Sequence, residues 1–208
     1  MARPALAEAD RTRQLIIEES AVLFNQKGYA GTSMNDITLA TRLSKGGVYA
    51  HFKSKEEIAL AAFDFAVQKV TQRVRECTQA VQHPLEKLRA VVRFYRENIF
   101  TPPVEGGCPI QNTSVEADDS NPALRERVQA AMDVWKQGII YILHKGKDKN
   151  LIREDADPEV FALQFIGTLE GAILLARLYR DVKYFDTLAV QLLQMIDDLA
   201  NPAAATQD

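Results

Sequence analysis

The chain has 208 residues, is 47% hydrophobic and carries a formal net charge of −3, which bounds it to one or two domains with a real core. Cys77 and Cys108 are too few for a secreted disulfide framework, and together with the scattered His51, His83 and His144 they show no metal-ligand spacing, so neither metal nor cofactor is expected. No apolar run approaches the ~18 residues needed to cross a bilayer, and the start "MARPALAEADRTRQ" has no signal-peptide core, so a soluble, cytoplasmic chain without a membrane partner is expected.

Taken in chain order, the pattern is helical nearly throughout, and an all-α fold is expected. Apolar positions at Ile16, Leu23 and Phe24, with Ser20 between, carry a first helix that stops at Gly28 after Lys27. Thr32 and Ser33 offer N-cap oxygens to a short helix with Ile37 and Ala40 on one face and Asp36 in its first turn. Ser44 caps a second short helix through His51 or Phe52, and Ser54 with Glu57 opens a long helix over about 55–80. Further helices are expected at 84–100, 122–145, 158–180 and 185–200, with Pro84, Pro122 and Pro158 at their starts. The one long irregular stretch is "TPPVEGGCPIQNTSVEADDSN", residues 101–121. There is no defensible strand alternation and no repeat.

Charge separates the two ends. Residues 1–55 hold eight Lys/Arg against five Asp/Glu, a local +3, while the remainder holds 17 against 23, or −6. A basic head on an acidic body suits a polyanionic partner. In that head, a longer helix, "SMNDITLAT", the link "RLS" and "KGGVYAHF" make a three-helix unit of the helix-turn-helix kind, whose last helix fits a DNA major groove. Gly46 and Gly47 are poor helix formers, and close backbone approach to DNA would offset that. Lys45 can reach a guanine edge or a phosphate, Tyr49 and His51 can donate to phosphate oxygens, and Lys55 adds charge near a helix N-terminus. Val48 and Phe52, four residues apart, should face inward.

The segment "LFNQKGYAGTSMNDITLATRLSKGGVYAHFKSKEEI" resembles the DNA-binding domain of the TetR family of bacterial transcriptional regulators over about residues 11–60. The resemblance implies an all-α homodimer with a helix-turn-helix domain at 1–54 and a helical ligand-binding and dimerisation domain at 55–208. Such a protein binds a palindromic double-stranded operator, usually as a repressor, and is released by a small-molecule effector. Thr32 or Ser33, Ser44, Lys45, Gly46, Tyr49, His51 and Lys55 match family positions that contact DNA, with Gly47 beside them. Ala50 departs from the second aromatic that many members place there.

The body is less specific. Small residues Gly167, Gly171 and Ala172 along "DPEVFALQFIGTLEGAILLARLYRD" permit close helix approach, and with "YFDTLAVQLLQMIDDLA" they suit a four-helix interface about a two-fold axis. Candidate ligand residues are Phe94, Tyr95, Cys108, Trp135, Phe165 and Arg177, with Tyr141, Phe161, Arg93, Arg96, Gln164 and Glu170 as further lining or polar contacts. The loop "EGGCPIQNTSVEADDSNPALRERV" resembles that of the NemR-like subgroup, in which a Gly-Cys pair opens a helix and the cysteine senses electrophiles and hypochlorite; the subgroup's partner lysine aligns with Arg177. Cys108 is thus either an inert thiol or a sensor. No nucleophile-base set, phosphate loop or metal run suggests an enzyme, and a plain helical interaction protein without sequence-specific DNA binding is the alternative.

Overall fold

The computed structural model describes the backbone of residues 3–202 and the side chains of residues 8–117 and 121–202. Residues 1–2 and 203–208, at the outer ends of the two expected domains, lie outside the described residues. Among the described residues there are nine helices: α1 Arg3–Gly31, α2 Met34–Thr41, α3 Lys45–Tyr49, α4 Lys55–Gln79, α5 Pro84–Glu97, α6 Pro109–Ser120, α7 Pro122–Asp148, α8 Pro158–Tyr179 and α9 Lys183–Asp197. Extended pairing there is limited to one isolated bridge between Ile152 and Ala200. The all-α architecture agrees with the sequence reading. Four helices begin with proline, a residue whose missing N–H is no loss in the first turn.

Three details differ from expectation. The first helix breaks at Gly28, at φ 76° and ψ 173°, but a further short helical turn runs on to Gly31. A left-handed φ is a conformation glycine adopts without strain. The stretch 101–121 is not irregular throughout, because α6 occupies Pro109–Ser120; its polar sequence shows no broad apolar stripe, although Ile110 and Ala117 are buried. Finally, α8 is long and apolar enough to cross a membrane by length and composition, with mean hydropathy 1.5 over 18 residues. Its place in a core explains that composition: nine of its side chains, from Phe161 to Ala176, are buried, and leucines continue onto its outer face.

The chain divides into two compact units, Met1–Val70 with Pro103–Gln129, and Thr71–Pro102 with Ala130–Asp208. Two of the divisions fall inside α4 and α7, and the third in the link between α5 and α6. In the first unit Ile16, Ile17, Ile37, Val48, Phe52 and Ile58 form a small core under α2 and α3, and Ala21, Ala62, Ala66 and Val104 form a second patch. The second unit is built on Leu88, Leu143, Phe165, Leu169, Phe185, Leu192 and Ile196, all fully buried, in which α8 and α9 make the most extensive pairing.

Candidate nucleic-acid interface

Short helices need help at their ends, and both helices of the reading head receive it. Ser33 Oγ accepts from Asp36 N at 3.1 Å while the Asp36 carboxylate accepts from Ser33 N at 2.8 Å, a reciprocal cap on α2. Lys27 Nζ sits 2.8 Å from Asp36 Oδ1, and that hydrogen bond, followed by those from Ser33, holds the Asp36 carboxyl well below the usual carboxylate range. Helix α2 ends at Arg42 in a left-handed conformation, φ 57°. Two residues later Ser44 Oγ accepts from Gly47 N at 3.0 Å and starts α3.

The inward side of α3 is fixed by Val48 and, just beyond it, Phe52, both buried as their spacing implied. The Arg13 guanidinium lies 4.6 Å from the Phe52 ring centre and covers it from outside. This leaves Ser44, Lys45, Gly46 and Tyr49 exposed, with Gly47 and His51 half-buried. A Cβ added at Gly46 would meet only Ser44 Oγ, at 3.9 Å, and one at Gly47 would meet Ser44 Oγ at 3.4 Å and Leu43 Cβ at 3.7 Å. Neither glycine has a left-handed backbone. Internal packing therefore explains neither of them, although each disfavours a helix by about 1 kcal/mol relative to Ala.

Two of the residues expected at the DNA make hydrogen bonds within the chain. Thr32 is completely buried, and its hydroxyl donates to Gly28 O at 2.8 Å, so of the pair Thr32 and Ser33 only Ser33 is at the surface. Lys55 donates from Nζ to Tyr29 O at 2.7 Å and Thr32 O at 2.9 Å, with the ammonium 4.1 Å from the Tyr29 ring centre. It neutralises the carbonyl end of α1 and ties that end to α4. Its sequence position near a helix N-terminus gave no hint of this, because the partners are 23 and 26 residues away.

A second set of polar contacts, absent from the sequence reading, joins α6 to α1. Buried Asn25 donates to Glu105 O at 2.8 Å, and Asn112 Nδ2 donates to Asn25 O and Oδ1, both at 3.0 Å. One turn further along α6, the Glu116 carboxylate accepts from the Tyr29 and Ala30 amides that the Gly28 kink frees. Burial, then the charges of Glu56 and Glu116, raise the Tyr29 hydroxyl pKa. Close approach is obligatory at Gly106, where φ is 114° and a Cβ would lie 2.5 Å from Asn25 O. The usable sequence signal was the spacing Cys108, Asn112, Glu116, which puts three residues on one helical face.

Residues 16–62 match the family described as bacterial regulatory proteins, tetR family, and residues 84–192 match the tetracyclin repressor-like C-terminal domain. A crystallised TetR transcriptional regulator from Chloroflexus aurantiacus is 40% identical, with 93% of this chain and 98% of its own covered and a TM-score of 0.89. The chain belongs to the TetR family of transcriptional regulators. The HTH-type transcriptional repressor DhaR of Mycobacterium sp. strain GP1 is 27% identical over 178 residues, 84% of this chain and 86% of its own. Reduced E. coli NemR, 21% identical with 93% of this chain and 99% of its own covered and a TM-score of 0.81, shares the fold. This TetR-family protein is therefore a DNA-binding regulator, from a family that is not enzymatic and whose members bind operators and dimerise.

In this TetR chain the candidate ligand residues separate into two groups. Phe94, Tyr95, Trp135, Phe165 and Arg177 belong to the second unit, whereas Cys108 belongs to the first. Phe94 and Phe165 are core, 3% and 0% exposed, while Tyr95 stacks on Trp135 with ring centres 6.2 Å apart, both half-buried. Phe161 stacks on Phe165 at 5.7 Å. Tyr141 is largely exposed, and Arg96 is held by Asp186 at 2.6 Å. Arg177 donates to Ile99 O at 2.8 Å. Cys108 is buried at the N-cap of α6, Cys77 is exposed, and neither is in a disulfide.

Proposed function

We propose that this regulator is a homodimeric repressor that grips a palindromic operator with α3 and its flanks and leaves it when an effector engages the protein. The observation that carries the reading is Gly46: an exposed helical glycine that nothing inside the fold requires, flanked by exposed Lys45 and Tyr49. A bare backbone admits a phosphate or base edge at closer range than any side chain would. Lys45 then takes a guanine edge or phosphate, and Ser33, Ser44, Gly47, Tyr49 and His51 contribute phosphate contacts. Thr32 and Lys55 act by positioning. The double substitution Lys45→Ala with Tyr49→Ala is expected to abolish high-affinity operator binding in a gel-shift titration while leaving the helical circular dichroism signal intact; undiminished affinity refutes the assignment.

Dimerisation is assigned to α8 and α9. Along α8 the exposed Leu163, Leu174 and Leu178 flank Gly167 and Gly171, at which an added Cβ would meet nothing within 4 Å, and α9 adds exposed Val190 and Leu193. Such a seam suits a symmetric four-helix interface. Repression, rather than activation, draws support from the repressor name of DhaR.

A thiol-reactive effector would act at Cys108. Its place at the start of α6 sets it one and two turns from Asn112 and Glu116, the residues that hold α1. An adduct that displaces the first turn of α6 would loosen both contacts and so disturb the head. Because Cys77 is exposed, the test belongs in a Cys77→Ser background: N-ethylmaleimide should release operator from that protein and not from one that also carries Cys108→Ser. Equal release from both leaves only a non-covalent effector.

A further inference from the structure

We propose that Phe100, Arg177 and Arg180 form a binding site for an organic anion, a carboxylate or phosphate ester joined to an apolar group. The three line a cleft in the second unit that is wide open to solvent. Phe100 follows the end of α5 and leaves its ring 49% exposed. Arg177 lies in the last turn of α8, and Arg180, at φ 51°, ends that helix. The Arg177 guanidinium is held by one hydrogen bond to Ile99 O, which fixes the side chain and leaves other N–H donors of the fork for a ligand.

Several cations of the same unit are paired with carboxylates, although among the described residues Arg75, Lys87, Lys147 and Lys149 are not. Arg89 is paired with Asp197, Arg96 with Asp186, Arg153 with Asp155 and Lys183 with Asp181. Among the described residues Arg177 and Arg180 have no carboxylate within ion-pair distance. Asp181, next in sequence, is engaged by Lys183. The carbonyl end of α8 accounts for cations in the last turn. It accounts neither for two open guanidinium forks around one cleft nor for an aromatic ring left in water beside them. Guanidinium forks match carboxylate and phosphate oxygens, and the ring supplies the apolar contact. The cleft is also distinct from the α8 seam, since Arg177 continues the line of buried Glu170 and Ile173 rather than that of Leu174 and Leu178.

Binding needs no operator, so it is tested on the full-length protein alone by calorimetry with octanoate, octyl phosphate and, as uncharged control, octanol. At least one anion should bind, weaken as salt is raised, and exceed octanol by about tenfold or more, the factor expected from one charge-assisted contact. The better anion assigns the source, carboxylate or phosphate. Arg180→Gln, on an exposed side chain, should remove about tenfold of that affinity with the thermal transition unchanged. Phe100→Ala should narrow the gap between octanoate and acetate. Failure of both anions to bind, binding of octanol as tight as the anions, or full affinity in both Arg177→Gln and Arg180→Gln overturns the site. The link to repression rests on the function proposed above and is read separately: a bound anion that leaves operator affinity untouched overturns its role as effector and not the site.

Discussion

In the first compact unit α2 and α3, of eight and five residues, depend on side-chain hydrogen bonds at their ends, whereas in the second α8 and α9, of 22 and 15 residues, rest mainly on apolar packing, with a side-chain cap from Asp157 on α8 and none on α9. The difference follows from length. Helices shorter than about 12–15 residues are marginal by themselves, and the caps from Ser33, Asp36 and Ser44 supply fixed polar partners at their ends. Long helices have enough buried face to be set by Leu, Ile and Phe, and their ion pairs lie at the surface, where each contributes little. The first unit thus places polar groups at its helix ends, and the second keeps most of its ion pairs at the surface.

The contrast can be broken at either end. The largest effect is expected in the second unit: Phe165→Ala empties a fully buried site and should destabilise the protein by about 3–5 kcal/mol in denaturant titration. A loss under about 1 kcal/mol would mean that apolar packing does not hold α8 in place. A smaller effect on the fold, with a large one on assembly, is expected for Gly171→Phe. The ring enters space that is open in the single chain, so helical content should be kept, while the overpacked seam separates the dimer in sedimentation. A variant that remains dimeric moves the interface elsewhere.

The same contrast explains what could be read in advance. Caps and helix-turn-helix spacing need particular residue types at particular positions, so Ser33, Ser44, Val48 and Phe52 were legible from their neighbours. Long-range polar contacts were not: Lys55 reaches back to Tyr29 and Thr32, and Glu116 reaches amides that exist only because Gly28 kinks α1. In the second unit the helices were legible and their partners were not, because many aliphatic arrangements share one periodicity. Phe94 and Phe165, candidate lining residues whose spacing equally suits a core, are buried. Phe100 and Arg180, which line an open cleft, carried no pattern at all.

The central claim is that Gly46 serves the DNA rather than the fold, and a single variant separates the two. Alanine at this position meets nothing closer than 3.9 Å inside the protein, so Gly46→Ala should leave the head folded and raise its stability by up to about 1 kcal/mol. If α3 is set against the operator as proposed, the added methyl group would stand between its backbone and the DNA. Measured side by side, thermal unfolding and operator affinity should therefore move in opposite directions, the transition rising slightly and the affinity falling by about tenfold or more, equivalent to ~1.4 kcal/mol. An alanine variant that binds operator as tightly as the wild type would contradict the account.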